Sequence, residues 1–113
     1  MTGRSRKSAS ALDLRIYERQ ASICRAFAHP TRLHLLDLLG RGEWASSDLQ
    51  KRLGVSKTNL SQHIAILKSS GVVLTRREGK RVFCVLAIPE VKQACRIIRD
   101  VLRCQIRSSR DLV

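Results

Sequence analysis

The amino-acid sequence predicts a mainly α-helical domain with one small β-hairpin: about five helices, and a two-stranded hairpin set before the last of them. Three observations predict this. Apolar residues recur at helical spacing from Leu12 to near Ser70, the period drops to two across VVLTRREGKRVFCVL, and helical spacing returns from Pro89 onward. The 113 residues fit one domain, and an apolar content of 43% supplies a core although aromatic residues make up only 4%.

Residues 1 to 11 are rich in Ser, Arg and Lys and are expected to form a disordered basic arm with no core position. From Leu12 to Ala28, the residues Leu12, Ile16, Ile23 and Phe27, joined by Ala21, Cys24 and Ala28, give a first helix with a broad apolar face. His29 and Pro30 interrupt it. Proline is favoured in a first helical turn, so Pro30 opens a second helix, with Leu33, Leu36 and Leu39 inward and Gly40 or Gly42 at its end. In EWASSDLQKRLGVS, Ser46 or Ser47 can cap a short third helix whose Leu49 and Leu53 face inward and which Gly54 ends.

Ser56 then caps a fourth helix, SKTNLSQHIAIL, which buries Leu60, Ile64 and Leu67 and stops near Ser70 and Gly71. Beyond it, two strands place Val82, Cys84 and Leu86 on one face and enclose the loop REGKR. The last helix carries Val91, Ala94, Cys95, Ile97, Ile98, Val101, Leu102 and Cys104, wider than a single stripe, so it wants partners on two sides. Lys92, Arg96, Arg99 and Arg103 are left as its solvated strip. The folded domain is expected to span residues 12 to 106, with 107 to 113 as a flexible tail.

Twenty-two Lys and Arg against nine Asp and Glu give a formal charge of +13, a potential that draws in polyanions. Nucleic acid is the first suspect. A membrane partner is not expected, because the apolar runs fall far short of spanning length. The basic N-terminus lacks the apolar centre of a secretory signal, so a cytoplasmic location with four reduced thiols is expected. No carboxylate pair, nucleophile and base, or phosphate loop stands at usable spacing, so no enzyme activity is expected.

The outer face of the fourth helix is unusual for a solvated one. It holds Thr58, Ser61, Gln62 and Ala65, small or amide-bearing, where alternating Glu and Lys would be ordinary. Short hydrogen-bonding side chains let a helix backbone come close to base edges in a major groove. Thr58, Ser61 and Gln62 fit base contacts, Lys57 a base or a phosphate, and Asn59 the helix flank; the Ser56 backbone stands where a phosphate would meet the helix N-terminus. The third and fourth helices, joined by a short turn containing Gly54, form a helix-turn-helix candidate. Arg76, Arg77, Lys80 and Arg81 would reach an adjacent backbone or minor groove, as a wing does.

The run HPTRLHLLDLLGRGEWASSDLQKRLGVSKTNLSQHIAILKSSGVVLTRREGKRVFCVL resembles the winged helix-turn-helix repressors of the ArsR/SmtB family. The likeness covers roughly residues 15 to 105 and is carried by HPTRL, SQHIAILKSSGVV and REGKR. It implies a homodimer joined by the first and last helices, binding an operator with two half-sites and released when a thiophilic metal, metalloid or oxidant occupies a sensor site. It also implies base contacts from Lys57, Thr58, Ser61 and Gln62, and wing contacts from Arg76, Arg77, Lys80 and Arg81.

The family's sensor sites are not matched. Arsenic-sensing members carry Cys-x-Cys-x-x-Cys where this chain reads Ala45 to Gln50. Zinc-sensing members use Asp and His on the last helix, but His29, His34 and His63 all precede it. Persulfide-sensing members pair a second-helix cysteine with one near the end of the last helix; Cys104 roughly matches the latter, while Asp37 stands near the former's place. His29 and His63 have no second ligand at usable spacing and read as boundary or capping residues.

Cys95 and Cys104, nine residues apart, lie on opposite helix faces with about 13 Å of axial rise between them. They cannot hold one ion within a chain. In an antiparallel pair of last helices crossing near Arg99 and Asp100, Cys95 would meet the other copy's Cys104, and Cys24 on the first helix could join or replace either. Three thiolates suit arsenite or antimonite, two suit an oxidation switch, and neighbouring arginines would favour the thiolate form. Against this, reduced cysteine is a common small core residue.

The expectation is therefore a dimeric, sequence-specific repressor that needs no cofactor to bind double-stranded DNA and is released by a thiol-reactive inducer. As(III), Sb(III) or another soft metal is expected before a persulfide or oxidant. The alternative is a DNA-binding protein whose cysteines only pack.

Overall fold

A computed structural model describes the backbone of residues 2–112 and the side chains of residues 13–109. Among the described residues the helices are α1 (Thr2–Phe27), α2 (Pro30–Leu39), α3 (Ser46–Leu53), α4 (Lys57–Ser69) and α5 (Glu90–Leu112), and the strands are β1 (Trp44–Ala45), β2 (Val73–Glu78) and β3 (Arg81–Leu86). The expected basic arm, 1 to 11, and much of the expected tail, 107 to 113, have side chains outside the described ones. Along the backbone α1 reaches back to Thr2 and α5 on to Leu112, past the bounds the apolar pattern gives. Neither stretch contains a proline to interrupt helical bonding.

The sheet has three antiparallel strands in the order β1-β3-β2, where two were expected. A two-residue strand has no alternation to read. Trp44 pairs with Cys84 and Ala45 with Phe83, and the Trp44 indole donates to the Leu38 carbonyl at 2.9 Å, tying the strand to α2. This strand also alters the start of α3. Ala45, held extended by its pairing, takes the cap position with no side-chain bond, so neither Ser46 nor Ser47 caps the helix. In the hairpin, Glu78 pairs with Arg81 across Gly79 and Lys80. Gly79 has φ 63°, which suits a two-residue turn with glycine in its first central position.

Helix α2 lies at the centre. Leu35, Leu36, Leu38 and Leu39 are all buried, whereas Leu33, expected inward, is 39% exposed. The helix is flanked by α1, α3, α4, α5 and β3, so its buried arc is wider than the single stripe read from the sequence. Leu49 from α3, Leu60, Ile64 and Leu67 from α4, and Val73 and Cys84 from the sheet close the core around it. Each fully buried leucine contributes about 1.5–3 kcal/mol.

Two apolar surfaces are left uncovered. On α1, Leu14, Ile16 and Tyr17 are exposed, and only Ala26 and Phe27 among its described residues are buried. On α5, Ile97, Ile98, Val101, Leu102 and Ile106 are all at least half exposed. The breadth of both apolar faces is thus a property of the surface and not of the core.

Candidate nucleic-acid interface

The motif starts from Gly54. Its φ of 67° is left-handed, so the chain turns sharply out of α3 while the Gly54 N–H still donates to the Gln50 carbonyl at 2.9 Å. Two residues later Ser56, extended at φ −71° and ψ 161°, caps α4 through its Oγ, which accepts from the Asn59 N–H at 3.1 Å. The Ser56 oxygen is thereby engaged as an acceptor, while its O–H and its backbone can still meet a ligand.

On α4 the expected division of faces is found: Leu60, Ile64 and Leu67 are buried, while Lys57, Thr58, Asn59, Ser61, Gln62 and Ala65 are exposed. At helical spacing Thr58, Ser61, Gln62 and Ala65 fall within about 100° of arc, and Asn59 lies apart from them. His63 departs from the expectation of a boundary residue, being only 7% exposed and buried on the inner side of the helix. His29 does act as a cap: its side chain accepts from the Thr31 N–H at the start of α2.

Between α4 and the hairpin runs a groove of about 650 Å³. Lys57, Ser61, Ala65 and Lys68 line it from α4, Ser46, Ser47 and Gln50 from the region of α3, and Thr75, Arg77, Lys80, Arg81 and Val82 from the hairpin. Gln50 and Lys68 were not singled out from the sequence. Lys68 follows Lys57 and Ser61 at i+11 and i+7, a spacing that marks one helix face, and could have been found that way.

The structure divides the hairpin cations. Residues paired across antiparallel strands share a face, so Arg76, opposite Phe83, lies on the other side of the sheet from Arg77, opposite Val82. Arg77, Lys80 and Arg81 line the groove. Arg81 also stands over the Phe83 ring, 5.0 Å from its centroid, and 4.0 Å from the Asp48 carboxylate. Arg76 makes a two-point bond to Glu43 (Nε to Oε2 3.0 Å, a terminal nitrogen to Oε1 2.8 Å), bonds Glu78, and covers Phe83 at 4.5 Å. Its guanidinium holds the Glu43 carboxyl below the usual carboxylate range.

The thiols are spread out. Cys84 is fully buried, and burial pushes its thiol up to about 11. Cys95 is half-buried on the α5 side that faces α2, beside a recess of about 160 Å³ lined also by Asp37, Arg41, Lys92 and Arg99. Asp37 accepts from Arg41 at 3.1 Å and forms an ion pair with Arg99 at 3.5 Å. Arg99 does favour the Cys95 thiolate, as expected of neighbouring arginines, but burial outweighs it and raises the thiol, and Asp37 adds to that. Cys24 and Cys104 are exposed, with Arg107 donating to the Cys104 sulfur at 3.4 Å. Among the described residues of one chain, no three His, Cys, Asp or Glu side chains gather in a way that could hold a metal ion. Also among them, no helix is long and apolar enough to cross a membrane.

A helix-turn-helix domain family matches residues 27–76. The chain is 37% identical over 83 residues to the transcriptional activator HlyU of Vibrio cholerae, covering 74% of this chain and 76% of that one. It is 39% identical over 67 residues to a biofilm growth-associated repressor of Agrobacterium fabrum, covering 59% of this chain and 57% of the other. A homodimeric winged helix-turn-helix DNA-binding domain from Mycobacterium bovis, described as a possible ArsR-family regulator, superimposes with a TM-score of 0.72 at 31% identity over 80% of this chain and 83% of that one. The chain belongs to the ArsR/SmtB family. As a member it is a winged helix-turn-helix transcriptional regulator: α3 and α4 are the helix-turn-helix, and the β2–β3 hairpin is the wing.

Proposed function

We propose that this ArsR/SmtB-family regulator acts as a homodimeric repressor that reads a two-half-site operator through α4 and is released by a reagent acting on its thiols. The observation that carries the DNA-reading part is the groove between α4 and the wing. It puts hydrogen-bonding Ser61 beside Lys57, Lys68, Arg77 and Lys80, which is the mixture of base-edge and phosphate partners that sequence-specific binding needs. Thr58 and Gln62 extend the readable face outward from the groove, and the Ser56 backbone meets a phosphate at the start of α4. Arg81 serves the wing edge. Arg76, already shared by two carboxylates on the far face, is left out of the phosphate set.

The homodimer reading is supported by the uncovered apolar residues of α1 and α5, which a second copy would cover by a self-complementary face. The thiol reading is supported by Cys24 and Cys104, exposed on those same two helices, and by Cys95 at the edge of the α5 apolar face. As(III), Sb(III) or another soft metal would need thiols from two protomers, since one chain does not gather three ligands among its described residues; a persulfide or oxidant would need only two. A hundredfold release requires about 2.7 kcal/mol of coupling, which a rotation of the two reading heads out of half-site spacing can supply.

A second reading, a regulator whose cysteines only pack, is favoured by the burial of Cys84 and Cys95, which keeps both thiols protonated. The two readings separate in one experiment: fluorescence anisotropy of the reduced protein on a duplex it selects from a random pool, with arsenite, zinc or a persulfide donor titrated in turn. Release by one of them, lost in Cys24→Ser, Cys95→Ser or Cys104→Ser, supports the sensor. Affinity indifferent to all three leaves the second reading.

A further inference from the structure

Behind the reading face, α4 is joined to the rest of the domain by an arrangement of three basic side chains. Arg32, on α2, donates from its Nε to the Ala26 carbonyl and from one terminal nitrogen to the Arg25 carbonyl at 3.5 Å, gripping the last turn of α1. Its other terminal nitrogen lies 3.2 Å from Nδ1 of His63, on the inner side of α4. The His29 and His63 rings stand 4.5 Å apart between centroids, tilted by 51°. His29 is fixed in place by its own Nδ1, which accepts from the Thr31 N–H at 3.1 Å.

The protonation state of His63 follows from this geometry. An arginine only donates, and it does not lose its proton in a protein. His63 Nδ1 must therefore accept, so the ring is neutral with its proton on Nε2. The Arg32 contact is the hydrogen bond found for the His63 ring among the described residues. The groups facing it from α1 and α2 are the guanidinium of Arg32, the His29 ring and carbonyls, with the Arg25 side chain exposed nearby. The charged residues of the other elements packed on α4, Asp48, Lys51 and Arg52 of α3 and Arg76, Arg77 and Glu78 of β2, are exposed to solvent.

We propose that Arg32, neutral His63 and His29 form a positioning clamp that sets α4 against the end of α1 in its DNA-reading position, and that acid releases this clamp. A proton on His63 removes the acceptor that Arg32 needs and sets two cations 3.2 Å apart. Burial, with His29 and Arg32, already holds the His63 ring below the usual imidazole value, in keeping with that opposition. The proposal rests on α4 being the recognition helix. It also runs against simple electrostatics: added positive charge on a protein of net charge +13 should tighten DNA binding as pH falls, whereas the clamp predicts weakening.

The test is anisotropy of the full chain on its selected duplex at constant ionic strength, from about pH 7.5 to about pH 5. The expected result is affinity that falls below the His63 midpoint by about tenfold per pH unit for each reading head, and so by up to about a hundredfold for a dimer holding both half-sites, because only the neutral fraction is competent to bind. In His63→Gln, whose amide oxygen can still accept from Arg32 but cannot be protonated, the fall should vanish. Affinity that stays level or rises as pH drops, or a fall that persists in His63→Gln, overturns the clamp. Should His63→Gln fail to fold by circular dichroism, the wild-type His63 ring titration by NMR decides: its midpoint must lie below the usual imidazole value and coincide with the binding midpoint, and a mismatch in either respect overturns the proposal. Absence of specific binding even at about pH 7.5 would instead defeat the reading of α4.

Discussion

Glu43 and Arg76 meet in a two-point pair across 33 residues of chain, joining the segment before β1 to the outer face of the wing. Both side chains are partly solvated, so the pair is a weak source of stability; its consequence lies in where it directs charge. The wing holds its cations on two faces, and the outer one is already matched with carboxylate.

The salt dependence of DNA binding should reveal this division. Each phosphate contact contributes a slope of about 0.9 in log affinity against log salt. Arg77→Ala and Lys80→Ala should each lower the slope by about that amount per protomer bound and weaken specific and random DNA alike. Arg76→Ala should change it much less. A larger effect from Arg76 than from Arg77 would reverse the assignment of faces.

Loss of the α4 cap is expected to be a local and measurable defect. Ser56→Ala leaves the Asn59 N–H without its acceptor and should cost about 1 kcal/mol by urea denaturation, within the usual 0.5–2 kcal/mol for a cap. Ser46→Ala and Ser47→Ala should cost far less, since neither caps α3. Equal losses at all three positions would contradict the cap geometry.

Stability should fall in mild acid because of His63. Above the usual imidazole value of about 6.5, the ring is neutral both folded and unfolded and its contribution is constant. Below it the unfolded chain takes a proton that the folded chain resists, so stability declines until the pH passes the lowered folded value. Carboxylates such as Glu43, also lowered, lose their contribution only in stronger acid. The urea midpoint should therefore drop as the pH falls below about 6.5 in the wild type and stay nearly level over the same range in His63→Gln. A drop of the same size in the variant would place the effect elsewhere.

The α5 face supplies a fourth expectation. A carboxylate placed there would be buried without a partner in any self-association that uses this face. Ile98→Glu or Val101→Glu should weaken self-association by roughly a hundredfold or more by light scattering, without loss of helix content, since both residues are already exposed in the single chain. An unchanged molar mass would exclude α5 from the contact.

The helices of this fold were legible in the sequence because their signals are local: Pro30 and Gly54 at element ends, Ser56 as a cap, and the 3.6 spacing of Leu60, Ile64 and Leu67. What was not legible depends on contacts distant in the chain. Strand β1 is two residues long and exists because Cys84 and Phe83 pair with it. Leu33 reads as core by spacing but is exposed because of where α2's neighbours lie. Arg76 and Arg77 are adjacent basic residues in the chain, and only the strand register, with Glu43 far upstream, sets them apart. His63 looked like a boundary residue because its partners, Arg32 and His29, are about thirty positions away.

The measurement that bears most directly on the central reading compares Thr58→Ala and Gln62→Ala with the wild type on the selected duplex, its single-base variants and random DNA. If α4 reads bases, each substitution should cost about 1–3 kcal/mol per half-site on the selected duplex, relax preference at about one base pair of each half-site, and leave binding to random DNA nearly unchanged. Equal weakening on all the duplexes, with no base preference lost, would contradict it.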